Sequence, residues 1–266
     1  MQSSEKVLVI VPHPDDAEFF AGGLLAKFAE DGYQIKIITA TDGCCGTYQH
    51  DRAEIAQIRA VEAKNAADLI GAELELLGFH DYELINVPSL DLRGMLVERI
   101  RSYRPDIAVF QDPQCKDEVH PDHRTLAWAA SDAIQFAQLP NVFPDHQKRK
   151  LEPHFVSEKY AYSEDPTRWN KIVDITATFS KKMEMMRKHQ SQVDFLVEDV
   201  IRQAEVAGLD AKVFMGRSFT SPFDALKLAM EATAKEIGQA AGLAYGEGYH
   251  YTRFHPYVEA LISSKE

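Results

Sequence analysis

Lys6-Val-Leu-Val-Ile-Val11 runs directly into Pro12-His13-Pro14-Asp15-Asp16, and this junction decides how the rest of the chain is read. An unbroken, largely β-branched apolar run lacks the alternation of a half-exposed strand. It is the pattern of a strand covered on both faces, in the interior of a parallel sheet. The proline ends it. Residues 18–31 then carry Phe19, Leu24, Leu25 and Phe28 at roughly helical spacing, with Gly32 where a helix C-cap belongs.

The alternation continues. Residues 34–39 form a second β-branched run, followed by a loop with two glycines, Asp42-Gly-Cys-Cys-Gly46. A helix is predicted over 52–70, closed by Gly71, then a strand over 73–77, a helix over 90–103 that stops before Arg104-Pro105, and a strand over 106–111. Such β-α-β-α order predicts a Rossmann-like α/β fold, a mostly parallel sheet with helices on both faces and any site at the C-terminal ends of the strands. A further helix over 125–138 precedes a loop or insertion near 139–154. Late strands are expected over 155–162 and 171–175, as antiparallel edges, and a long helix or pair of helices over 179–207. No repeat or linker divides the chain, so one domain over 1–266 with a helical C-terminal part is expected.

The turn after the first strand is where a dinucleotide-binding protein carries its glycine fingerprint and offers backbone N–H groups to a pyrophosphate. Two carboxylates stand there instead, which repel phosphate and suit a cation. Imidazole with carboxylate is a ligand set for zinc or another first-row divalent ion. A polar turn with Asp15 or Asp16 capping the next helix is the other reading of the same residues. His120-Pro-Asp-His123 lies beyond the strand ending at Gln111, just before a helix, and so reaches the same rim of the sheet. Either loop alone reads equally well as a capped, solvated turn. Two histidine-aspartate loops, each at the carboxyl end of a predicted strand, point to one shared site.

Composition removes other classes. The 266 residues are 45% hydrophobic and 26% charged, as in folded globular proteins, and 29 Lys plus Arg against 41 Asp plus Glu leave a net charge of −12. That balance argues against nucleic acid and anionic lipid as partners. The apolar run at Val7 to Val11 is far shorter than the roughly 20 residues that span a bilayer. Cys44, Cys45 and Cys115 are odd in number and two are adjacent, which fits a reducing, cytoplasmic setting better than a disulfide framework.

At these residues the chain resembles the LmbE-like, or PIG-L, zinc-dependent N-deacetylases, whose signatures are a His-Pro-Asp-Asp loop and a later His-Pro-Asp-His loop. Thr41-Asp-Gly43, Arg59-Ala-Val-Glu62 with Ala66, Phe79-His-Asp81 and His189-Gln-Ser-Gln192 add weaker matches, and the likeness extends over most of the chain. The resemblance implies zinc (or another divalent first-row ion) held by His13, Asp16 and His123, with Asp15 as general base and His120 facing the oxyanion and the leaving amine. It also implies Arg59 and Asp81 near the sugar, a small N-acetyl sugar conjugate as substrate, and a homo-oligomer. The chemistry is coherent: three protein ligands leave a position for water, Asp15 takes a proton, and a protonated His120, its ring oriented by the Asp122 carboxylate, stabilises the oxyanion.

The expected function is therefore metal-dependent removal of an acetyl group from an N-acetylglucosamine conjugate. The alternatives are a metal-dependent amidase or esterase on another acylated small molecule, and a non-catalytic sugar-conjugate-binding protein. Cys44 and Cys45 are expected to be small packing residues rather than ligands, and Cys115, in the loop leading to His120, is not needed as a ligand. His80, His146, His154, His189, His250 and His255 are expected at the surface or in hydrogen bonds.

Overall fold

Strand β1 (Lys6–Val11) sits inside a seven-stranded sheet, and its residues Val7 to Val11 are all buried. Val7, Val9 and Val11 enter one core while Leu8 and Ile10 enter another on the opposite face, as the two-residue period of a strand requires. The molecule is described by a computed structural model over residues 5–211 and 219–264. Part of the C-terminal region read from sequence, 212–218, lies outside the described residues.

The other strands are β2 (Gln34–Thr41), β3 (Glu73–Phe79), β4 (Ile107–Gln111), β5 (Glu158–Tyr162), β6 (Lys171–Asp174) and β7 (Gly246–Thr252), in the order β3-β2-β1-β4-β5-β7-β6. The first five in that order are parallel, with Val7 opposite Ile35 on one side and Ile107 on the other. One face is covered by α1 (Asp16–Glu30), α2 (Arg52–Asp68), α6 (Phe179–Met186), α7 (Gln190–Val206) and α8 (Pro222–Gln239). The other carries α3 (Ser89–Tyr103) and α4 (Pro121–Phe136). A short helix α5 (Asp145–Lys148) lies in the predicted insertion, and α9 (Pro256–Ser263) follows β7. Since β1 is flanked by β2 on one side and β4 on the other, the chain order reverses at the β1–β4 boundary. The loops after these two strands diverge there and leave a crevice. Among the described residues no helix is long and apolar enough to cross a membrane.

Three expectations need correction. β5 is an interior strand parallel to β4, not an antiparallel edge. The antiparallel element is β7, which the sequence did not reveal: Gly246-Glu-Gly-Tyr-His-Tyr-Thr252 has little of the apolar or β-branched signal of a strand. Its glycines answer to packing, since a Cβ on Gly248 would lie 2.3 Å from the Trp169 ring. Helix α4 starts at Pro121 rather than near residue 125, because Pro121 takes the first helical position and the His120 ring caps it by accepting the Asp122 N–H at 3.2 Å. His123 therefore stands on the first turn of a helix, not in a loop.

The insertion is anchored by Arg101, 2% exposed, whose guanidinium donates to the carbonyls of Ala137, Leu139, Val142 and Phe143 at 2.8–3.2 Å. Arg101→Leu leaves those carbonyls without that donor and is expected to cost about 2–4 kcal/mol. A urea midpoint lowered at unchanged slope would show it; an unchanged midpoint would mean that water replaces the guanidinium.

Candidate active site

The crevice holds a cavity of about 250 Å³ whose walls include His13, Asp15, Asp16, His120 and His123. His13 follows β1 and its backbone N–H donates to Asp16 Oδ2 at 2.8 Å, so the tight turn into α1 brings its own ring and the Asp16 carboxylate together. His123, 110 residues later on α4, places Nε2 at 3.1 Å from His13 Nδ1 and 3.5 Å from Asp16 Oδ2, and the third side of this triangle, His13 Nδ1 to Asp16 Oδ2, is 3.3 Å. A small ion bound tetrahedrally at 2.0–2.1 Å sets its ligands about 3.3–3.4 Å apart, so the three donors have the spacing of one face of such a site.

The remaining ring nitrogens are held from behind. His13 Nε2 lies 3.1 Å from Asp81 Oδ1 and 3.6 Å from Asp122 Oδ2, and His123 Nδ1 lies 2.9 Å from Gln111 Oε1 and 3.1 Å from Glu118 Oε2. Each arrangement commits one nitrogen to an acceptor and leaves the other facing the triangle, where it could offer a lone pair to an ion, the usual support of a metal-binding imidazole. His13, Asp81, His120 and Asp122 form a second, overlapping donor group that could also hold a metal ion. Its carboxylates are already engaged: Asp122 accepts the N–H groups of Tyr82 (2.6 Å) and Leu84 (3.0 Å), and Asp81 Oδ2 accepts that of Cys45 (3.0 Å).

Charge follows geometry. Burial by itself would raise the Asp16 carboxyl, but the facing His123 and the hydrogen bonds from His13 outweigh it and bring its pKa down to about 2. Neighbouring Asp15 moves the other way. Burial raises it, the Arg59 guanidinium opposes and the Asp16 charge adds to the rise, so adjacent aspartates are separated into a fixed anion and a proton acceptor. Asp15 also sits at φ 143°, a backbone state that L-residues rarely adopt and that costs on the order of 1–3 kcal/mol. Its carboxylate is pinned by Arg59 Nη2 at 3.0 Å.

The expected residues meet here, several in other postures. Arg59 lines the cavity, is 3% exposed and donates to Asp15, Pro14 O and Gly43 O, so its guanidinium braces Asp15. Asp81 is likewise 3% exposed and committed to His13 and Cys45. The Asp122 carboxylate turns to His13; what meets the His120 ring is the Asp122 backbone N–H at Nδ1. That bond leaves Nε2 as the nitrogen that carries the proton of a neutral His120 ring, and burial, followed by the charges of His13 and His123, lowers its pKa. His189 is fully buried with Nε2 3.2 Å from Glu18. Gln111 and Glu118 were missed. The only sequence cue was position, at the end of β4 and two residues before His120.

A model of the PIG-L family, described as GlcNAc-PI de-N-acetylase, matches residues 8–134, a stretch that contains both histidine loops. Diacetylchitobiose deacetylase of Thermococcus kodakarensis is 34% identical over 192 residues, covering 71% of this chain and 70% of that protein. The 4-oxalmesaconate hydratase of Pseudomonas putida is 25% identical, covering 80% and 83%. Among solved structures, the N,N'-diacetylchitobiose deacetylase from Pyrococcus horikoshii superposes with a TM-score of 0.77 at 28% identity, over 95% of this chain and 85% of that one. Because likeness of this extent runs through the very loops that build the crevice, the chain belongs to the PIG-L family.

Proposed function

We propose that the protein is a zinc-dependent deacetylase that hydrolyses the acetamide of an N-acetylglucosamine conjugate. The observation that carries this reading is the triangle of His13 Nδ1, Asp16 Oδ2 and His123 Nε2 with the raised Asp15 carboxyl at its edge. The deacetylase relatives of Thermococcus and Pyrococcus support the choice of bond and of sugar. The borderline-soft set of two imidazoles and a carboxylate supports zinc. Three unpaired cysteines fit a reducing cytoplasm.

Held by that triangle, zinc would polarise the acetyl carbonyl and render a water acidic enough to attack near neutral pH. Asp15 removes the proton of the attacking water and delivers it to the departing nitrogen, a shuttle for which a raised carboxyl is suited. Arg59 keeps the carboxylate in place during both transfers. His120, neutral with its proton on Nε2, donates a hydrogen bond to the oxygen that becomes anionic as the carbonyl turns tetrahedral. Asp81 and Asp122 hold the His13 ring, and Gln111 and Glu118 hold that of His123.

Acetate release is the test, with a panel of N-acetylglucosamine, its β-linked oligomers and its glycosides, beside simple esters and an unsaturated dicarboxylate as a hydration substrate. Release from the N-acetyl sugars that requires zinc supports the reading. Turnover confined to the esters, or hydration of the dicarboxylate without acetate release, overturns it. Glu118→Ala is expected to weaken zinc binding about 10–100-fold, the usual cost of losing a partner behind a metal-bound imidazole. Competition with a chromophoric chelator measures it, and unchanged affinity would assign that task to Gln111 alone.

A further inference from the structure

A second set of donors lies where the loop after β2 meets the end of β3. Asp42, Cys44 and His80 each present one ligand atom, and these atoms all fall within 4.8 Å of one another. The arrangement is set by the backbone. Asp42 Oδ1 accepts the N–H groups of Cys44 and Asp81, both at 3.1 Å, which fixes the carboxylate and leaves Oδ2 beside His80 Nδ1 at 2.8 Å. Gly43, at φ 65°, makes the turn that returns Cys44 alongside Asp42, and a Cβ there would run into Arg59 at 2.3 Å. Cys44 is 2% exposed, whereas the His80 side chain is mostly exposed and opens the cluster to solvent.

The sulfur is already contacted by a guanidinium: Arg52 Nε donates to Cys44 Sγ at 3.1 Å. The same group would have to give way to an incoming cation. It can do so cheaply, because Arg52 Nη2 already has Glu83 Oε1 at 3.0 Å and Asp81 O at 3.4 Å as acceptors.

We propose that Asp42, Cys44 and His80 form a second metal site, separate from the His13–Asp16–His123 triangle, that takes a thiophilic divalent cation such as zinc or cadmium. A thiolate with an imidazole and a carboxylate selects against magnesium, calcium and manganese and leaves a fourth tetrahedral position for water. Binding releases the Cys44 thiol proton to solvent and moves Arg52 onto Glu83. Cys44, expected from sequence to be a packing residue, is here a ligand.

Cadmium tests this in protein that already carries one equivalent of zinc. The triangle contains no sulfur, so the near-ultraviolet charge-transfer absorption of a cadmium thiolate reports the second site alone. The wild type is expected to develop that absorption and saturate at one cadmium per chain, as should Cys45→Ser and Cys115→Ser. Cys44→Ser should lose it. His80→Ala, an exposed position with little bearing on folding, should bind at least about tenfold more weakly. Absence of the band in the wild type, its survival in Cys44→Ser, or full affinity in His80→Ala would each overturn the proposal. If Cys44→Ser fails to fold, His80→Ala decides alone.

Discussion

Asp15→Asn is expected to lower kcat by about 10³-fold, within the range of a lost general base, while zinc stays bound at one equivalent. The amide has the shape of the carboxylate but cannot accept the proton of the attacking water. Asn matches Asp in shape and backbone preferences, so the strained turn at φ 143° should persist as it does with the native residue. Arg59 would lose its anion yet keep the carbonyls of Pro14 and Gly43, which leaves the guanidinium in place. Metal analysis and acetate release on the same preparation decide the matter. A near wild-type rate at full zinc occupancy would remove Asp15 from the mechanism. Arg59→Lys offers a graded companion: a single ammonium cannot hold Asp15, Pro14 O and Gly43 O together, so kcat should fall while KM changes little.

His123→Ala should abolish both metal retention and turnover. His123 Nε2 closes two of the three sides of the triangle, at 3.1 Å to His13 and 3.5 Å to Asp16. A ligand removed outright is expected to cost more than the about 10–100-fold lost with an outer partner. Dialysed protein analysed for zinc is expected to hold well under one equivalent. The paired experiment is His120→Ala, which on the proposed assignment should retain zinc and lose rate, because His120 is not one of the three donors of the triangle. The two variants separate the overlapping donor groups. If His120→Ala empties the site and His123→Ala does not, the metal belongs with His13, Asp81, His120 and Asp122 instead.

Much of the architecture was legible because it is written locally. The β-branched run at Val7 to Val11 needs only two-sided burial to be explained, and all five residues are buried. Gly32 and Gly71, read as helix ends, do adopt positive φ, at 83° and 64°. Helix α4 was misread because its start depends on a histidine ring acting as cap, which is no common capping signal. Strand β7 was invisible because its place between β5 and β6 is set by neighbours across the sheet, while Gly246, Glu247 and Gly248 dilute the strand preference of its tyrosines.

By itself the sequence determined the alternation that makes the sheet parallel, and the chemistry of the two loops that end β1 and precede α4. Those are properties of side-chain type and spacing over a few residues. Only the tertiary structure decided which nitrogen of each histidine faces the cavity, that Arg59 reaches Asp15, and that Asp81 reaches His13. Each of those depends on partners far away in the chain: Arg59 lies 44 residues from Asp15, and His123 lies 110 from His13. A ring's proton and a guanidinium's direction are fixed by the acceptors that happen to surround them, and no local pattern of residues carries that information.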